Sequence, residues 1–505
     1  MHRRAFLRVA GVATVAAVAG GVPAVVGSLH ADVPPCGFTG PSLVTVSGRQ
    51  VIVQKRRPDN SLGSAQPYRI KGVNWAPASQ GSGPADRQAQ YAIWQAIDIP
   101  LMHEMHANTV RVFLDFGTDQ TALGVLDDLQ RQGIMAIVTV DKMVNDTENI
   151  TTVVNAYKNH PAVLMWSLGN EWNINLYFGK FGSVDDAAQA TEQAAVQIKG
   201  LDPNHPVISS FGDIDIRHLT PLSKSAAIIN TQVPSADVWG LNIFRGTTFG
   251  TLFDQWASIS TKPMFLGEFG TDAFNQNTGQ EDQVLQANLD GNLWDEIADR
   301  LSADDPMRPA LGGCVFEWND EWWKAGNPSS HDGGGFVSGG HPDGFSNEEW
   351  YGVVDIARNK RQAFYALQTR FGTPVPPALL LSLNQAAFVP GDVLTLTMTT
   401  QSGVPANVNM ADFYLAALVP GGAAYLFDGT AWALVFDGVH VLPAALKPFR
   451  GNGTVSNACE AIFSGMIPAI PPGTYTFVAI LVSVGADPVN TSNWLSAPGQ
   501  AAFTV

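Results

Sequence analysis

From Tyr68 to about Gly372 the chain alternates short apolar runs with longer segments in which apolar residues recur every three or four positions. The short runs suit strands buried on both faces, and the longer segments suit helices that cover them. Eight runs stand out: RIKGVNW (69–75), TVRVFL (109–114), IMAIVTV (134–140), AVLMWSLGNE (162–171), PVISSFGD (206–213), VWGLNIF (238–244), PMFLGEFG (263–270) and LGGCVFEWND (311–320). Helical periodicity fills 86–106, 119–132, 185–200 and 281–301. Eight strand-helix units predict an α/β fold, a (β/α)8 TIM barrel over residues 68–372. A doubly wound sheet is the alternative, but no GxGxxG follows the first run, and polar residues gather at the C-terminal ends of the runs.

Ahead of the barrel, within 32–67, LVTVSGRQVIVQK (43–55) alternates as a hairpin placed to cap the barrel floor. Behind it, TPVPP (373–377) predicts a stiff linker. Residues 376–505 then hold only eight charged residues, and runs such as VLTLTMTT (393–400), FYLAALV (413–419), YTFVAILVSV (475–484) and AAFTV (501–505) are punctuated by turn residues. That pattern predicts an antiparallel β-sandwich over 378–505. Its Trp432, Trp494 and Tyr425 suit packing better than glycan binding.

Composition narrows the function. The net charge of −16 argues against a nucleic-acid or anionic-membrane partner. Arg3, Arg4 and Arg8 precede an apolar, Ala/Gly-rich stretch with no acidic residue before Asp32, which resembles a twin-arginine export signal over 1–31. Its removal takes away three positive charges and leaves a mature chain of charge −19 with no membrane segment, exported to the periplasm or the medium. A membrane-spanning helix is the alternative, but Pro23 interrupts a short run. Cys36, Cys314 and Cys459 form neither a metal knuckle nor a disulfide framework, so one disulfide is the most the chain can make.

Barrel chemistry sits where strands end, because the βα loops there form the open mouth. Glu171 closes the fourth run in WSLGNEW, and Glu268 ends the seventh in FLGEFG. A carboxylate directly after a buried run is costly unless it is paired or reactive. Two facing carboxylates about 5–5.5 Å apart perform retaining glycoside cleavage, one protonating the leaving oxygen and the other attacking the anomeric carbon.

HPAVLMWSLGNEWN (160–173) with KPMFLGEFGTDA (262–273), together with RIKGVNW and VRVF, resembles the clan of retaining (β/α)8-barrel β-glycosidases that includes families 2, 5 and the β-1,3-glucanosyltransferases of family 72. The resemblance implies that Glu171 is the acid/base and Glu268 the nucleophile, that Asn170 bonds the sugar 2-hydroxyl, and that Arg111 keeps the nucleophile ionised. It further implies that Trp318 forms an aromatic floor. Asn242 and Arg245 point to opposite faces if strand six continues, so that one of them reaches the substrate, and Asn242, Trp75 and Trp322 complete the expected sugar-binding set. One position departs: strand six carries Phe244 where clan members often have a Tyr bonding the nucleophile. The short segment before the first strand is unlike the large N-terminal sandwiches of family 2, so a β-galactosidase is not expected.

The segment EWNDEWWKAGNPSSHDGGGF (317–336) offers Trp322 and Trp323 for stacking on sugar rings. Asp320, Glu321, His331 and Asp332 match no defined calcium loop, and Gly333, Gly334 and Gly335 lack the context of a phosphate cradle, so neither metal nor cofactor is expected. His103 and His106 fall on a predicted helix as surface or packing residues. The expectation is an exported glycosidase or transglycosidase acting on a β-linked oligo- or polysaccharide, with β-glucan the leading substrate. A non-catalytic carbohydrate-binding barrel is its rival.

Overall fold

The computed structural model describes residues 40–505 except 58–60, 142–143, 145, 217–219, 373–377, 402–409, 438, 440–445 and 457. The export segment and the Pro-rich linker lie outside the described residues. Two compact units emerge, one built on Thr39–Arg56 and Leu62–Gly372, the other containing Thr373–Val505.

In the first unit all eight expected runs become strands of one closed parallel barrel: Ile70–Asn74, Thr109–Val112, Met135–Asp141, Val163–Leu168, Val207–Phe211, Val238–Asn242, Met264–Phe269 and Ala310–Val315. The eighth closes on the first, with Cys314 opposite Gly72. That closure needs Gly72 and Gly312, since a Cβ at Gly72 would meet the Cys314 sulfur at 2.4 Å and one at Gly312 the Ile70 carbonyl oxygen at 2.0 Å. Helices Arg87–Glu104, Gln120–Arg131, Val184–Leu201 and Gln283–Ala298 occupy the predicted segments. Asp119, Ser183 and Asp282 cap three of them, each accepting a backbone N–H three residues on. His103 and His106 turn inward instead of toward solvent, each ring bonded to a backbone oxygen.

Strands Leu43–Ser47 and Gln50–Gln54 pair antiparallel as the expected hairpin. Val44, Val51 and Val53 pack with Tyr68, Met135, Met165, Phe265 and Cys314 in a separate cluster filling the barrel's lower interior. Its edges are pinned to the loops that enter the strands: Ser42 donates to the Pro161 oxygen, Arg49 to Ser260 and Gln50 to Ser302. The hairpin therefore closes the floor.

In the second unit, Ala378–Leu383, Val393–Gln401 and Ala458–Met466 form one antiparallel sheet. Trp432–Phe436, Ala424–Phe427, Met410–Leu418, Thr474–Ser483 and Gly499–Thr504 form the other, with Arg450–Thr454 alongside Met410–Leu418. Alternate residues such as Leu396, Phe413, Leu415, Phe463 and Phe477 build the core between them. Trp432 packs within it, 5.0 Å from the Phe427 ring, and Trp494 donates to the Pro488 oxygen. Cys459 is disulfide-bonded, whereas Cys314 is a free thiol inside the barrel.

Candidate active site

The barrel mouth opens on a cavity of about 630 Å³, and both Glu171 and Glu268 line it. Each is delivered by the end of its strand. Glu268 is the fifth residue of Met264–Phe269 and registers against Asn242 of the neighbouring strand. Glu171 stands three residues beyond Val163–Leu168, where Gly169 at φ +67° turns the chain sharply; a Cβ there would sit 2.7 Å from the Tyr177 ring. Glu171 itself is left-handed at φ 51°, a conformation costing a non-glycine residue about 1–2 kcal/mol. Its N–H donates to the Ser210 oxygen at 3.0 Å, and the next residue, Trp172, anchors through Nε1 to Ser209 Oγ at 2.8 Å.

Arg111 organises the site from below. Its Nη1 donates to Glu268 Oε1 at 2.9 Å and to Asn74 Oδ1 at 2.8 Å, while Nη2 donates to Asn170 Oδ1 at 2.7 Å and to Ser210 Oγ at 3.3 Å. Being 1% exposed, it does not touch the cavity; it fixes the groups that do. Asn242 bridges on the other side, its Nδ2 donating to Asn170 Oδ1 at 3.1 Å and Glu171 Oε1 at 3.0 Å. Asn170 thus has its oxygen filled twice, while its amide N–H₂ donates no hydrogen bond among the described residues.

These contacts separate the two carboxyls. Burial raises Glu171 to about 7, and the negative charge of Glu268 adds to that rise, against the opposing Asn242 hydrogen bond and Arg111 charge. Burial also raises Glu268, but the charge and hydrogen bond of Arg111 pull back toward the ionised form. One carboxyl is set to hold a proton near neutrality while its neighbour carries the charge.

Not every expected residue reaches the cavity. Trp318 is fully buried on the helix side, 6.3 Å from the Phe364 ring, with its backbone N–H bonded to the Asn74 oxygen. Phe316 lines the cavity in its place. Trp75 is likewise in the core, donating through Nε1 to Asp98 and packing edge-on to Tyr91 at 4.9 Å. Trp322 stacks on His331, which stacks in turn on Trp350, and Trp323 is the one that lines the mouth, with Arg87 4.4 Å above its ring. Arg245 forks Asp213. Asp320 is taken up by Arg361 at 2.6 and 2.7 Å, and Glu321 by Lys324 at 2.8 Å.

Asn74 and Tyr351 are not singled out by the sequence, and Phe244 is known from it only as a departure. Asn74, beside the favoured Trp75, joins the first strand to the seventh and eighth by donating to Gly267 and Cys314 oxygens and then accepts from Arg111. Strict alternation along RIKGVNW was the available signal. Phe244 meets the cavity as an aromatic wall, edge-on to Phe316 and Tyr351 at 6.0 Å. The Tyr351 hydroxyl in that wall bonds His341 and Ser346 at 2.8 and 2.9 Å, and Glu268 accepts from Arg111 instead.

Residues 91–290 match the family model described as glycosyl hydrolases family 2, TIM barrel domain. Among solved structures, the chain is similar to an FMN-binding β-glucuronidase from Faecalibacterium prausnitzii L2-6 (16% identity, TM-score 0.44, covering 92% of this chain and 58% of that one). It is also similar to a family 2 β-galacturonidase from Eisenbergiella tayi bound to galacturonate (16%, 0.41, 65% and 54%) and a Bifidobacterium dentium β-glucuronidase complexed with coumarin-3-O-glucuronide (20%, 0.42, 65% and 49%). The chain thus spans about half the length of these proteins, 49–58%. The matched segment holds six of the eight strands together with Arg111, Asn170, Glu171, Asn242 and Glu268, and over it the barrel of this chain is similar to the family 2 glycosyl hydrolase TIM barrel.

Proposed function

We propose that the protein cleaves or transfers a β-linked glycan, with β-glucan the leading substrate, by double displacement at Glu171 and Glu268. The observation that carries this reading is the unequal pair in one cavity: Glu268 ion-paired to Arg111, and Glu171 raised to about 7. Glu268 attacks the anomeric carbon while Glu171 gives its proton to the leaving oxygen. Glu171, now a base, then activates water or a sugar hydroxyl to release the glycosyl group. Asn170 donates to the 2-hydroxyl, a bond that strengthens as positive charge develops on the ring. Trp323 with Arg87 above it offers a platform at the mouth for an acceptor sugar, which favours transfer. Export of the folded protein through the twin-arginine signal belongs to the same reading, and fractionation of producing cells with Arg3 and Arg4 replaced tests it.

Mass-spectrometric product analysis against β-glucans and β-mannans, with Glu268→Gln as the blank, tests the activity. Shorter or longer oligosaccharides that vanish in the variant are expected; identical product profiles from both proteins would overturn the assignment. Glu171→Ala should keep turnover on substrates with good leaving groups and regain rate with added azide.

A further inference from the structure

The cavity holds charges that double displacement does not use. Lys324 lines it, but its ammonium is committed: it lies 2.8 Å from Glu321 and 3.6 Å from Glu317, and 4.4 Å over the Phe316 ring. Glu317 is 1% exposed and neither of its oxygens has a hydrogen-bond partner among the described residues, so Lys324 is the cation that compensates this corner. Arg87 makes no ion pair among the described residues, but it stands at the rim over Trp323 and does not rank among the charges acting most strongly on either reacting glutamate. Glu348 is the opposite case. It lines the cavity half-buried, makes no hydrogen bond or ion pair among the described residues, and its charge acts on Glu171, Glu268 and Lys324 together.

We propose that Glu348 selects the sugar bound at the reacting centre, its free carboxylate accepting hydroxyl hydrogens of an uncharged glycone and repelling a uronic acid. An ionised carboxylate is an acceptor only, with two oxygens spaced to take two neighbouring hydroxyls. A sugar carboxylate in the same place would face Glu348 and Glu268 across a partly desolvated cavity, with its nearest ammonium already shared between two glutamates. This rests on the barrel mouth being the sugar site, as argued above, and names the class of sugar it takes.

Binding separates this inference from the catalytic one, because thioglycosides resist acid-assisted cleavage and need no turnover to report selection. The full-length protein is titrated by calorimetry with 4-nitrophenyl β-thioglucoside, β-thiogalactoside, β-thiomannoside and β-thioglucuronide. At least one neutral thioglycoside should bind roughly tenfold or more tightly than the thioglucuronide. Glu348→Gln should weaken that neutral ligand and narrow the gap about fivefold or more, whereas Glu348→Asp, which keeps the charge, should retain the bias against the uronide. Equal or tighter binding of the thioglucuronide, an unchanged gap in Glu348→Gln, or no binding of any of the four would each overturn the proposal. Absence of turnover on the corresponding O-glycosides, with this binding pattern intact, would instead count against the double-displacement reading alone.

Discussion

The two ends of the barrel are built from the same eight strands, yet they bury opposite kinds of side chain. At the floor, Val44, Val51 and Val53 of the hairpin meet Tyr68, Met135, Met165 and Phe265, and the contact is almost wholly apolar. At the mouth, Arg111, Glu268, Asn74, Asn242 and Glu317 are 5% exposed or less. Apolar burial at one end supplies stability at roughly 25 cal/mol per Å². Charge burial at the other is offset chiefly by pairing, Arg111 alone making four hydrogen bonds and Lys324 standing 3.6 Å from Glu317. Function and stability are thus separated along each strand.

Substitutions at either end test that separation. The largest effect is expected for Glu268→Gln, which should reduce kcat by a factor on the order of 10⁴ or more with the fold intact by circular dichroism. Next comes Arg111→Met, which leaves Glu268 buried without its partner. It should cost about 3–5 kcal/mol in urea denaturation and push the Glu268 carboxyl further up, moving the acidic limb of the rate profile to higher pH. At the floor, Met165→Ala should cost about 2–5 kcal/mol yet leave kcat/KM of the folded enzyme unchanged; a parallel loss of activity would break the separation. Smallest is Trp75→Phe, which removes one N–H bond to Asp98 and should lower stability by about 1–2 kcal/mol with sugar binding unaltered.

A pH experiment sharpens the same contrast. Glu171 has a carboxyl raised from 4.5 to about 7, so between those values the folded protein holds a proton that the unfolded chain has lost. Wild-type stability should therefore fall as pH rises through that window. Glu171→Gln removes this contribution, so its melting temperature should gain on the wild type at pH 8 and not at pH 4. The same group sets the basic limb of activity near pH 7.

The barrel was legible because a run such as VLMWSL has one sensible place, inside a sheet, and a glutamate straight after it has few structural excuses. Glu171 and Glu268 were visible for that reason, Arg111 only through the family resemblance, and the structure brings them together with Asn170 and Asn242. The tryptophans misled because residue type does not say which way a ring faces: Trp75 and Trp318 both turn to the helix layer, where Asp98 and Phe364 meet them. Phe316, Lys324 and Glu348 lie beyond the last barrel strand, as does the foreseen Trp323, where no period-two pattern survives to assign an inside. Their arrival at the mouth depends on loop paths set by contacts across the barrel, such as the Glu317 N–H to the Tyr351 oxygen.

Among the described residues, packed side chains fill the barrel beneath Glu171 and Glu268, and their cavity opens at the mouth. On the double-displacement reading, the departing part of the substrate and the molecule that replaces it must use the same passage, one after the other. A slow exit therefore shields the covalent sugar from solvent, and whichever molecule first reoccupies the vestibule around Trp323 and Arg87 decides whether the sugar ends on water or on another chain.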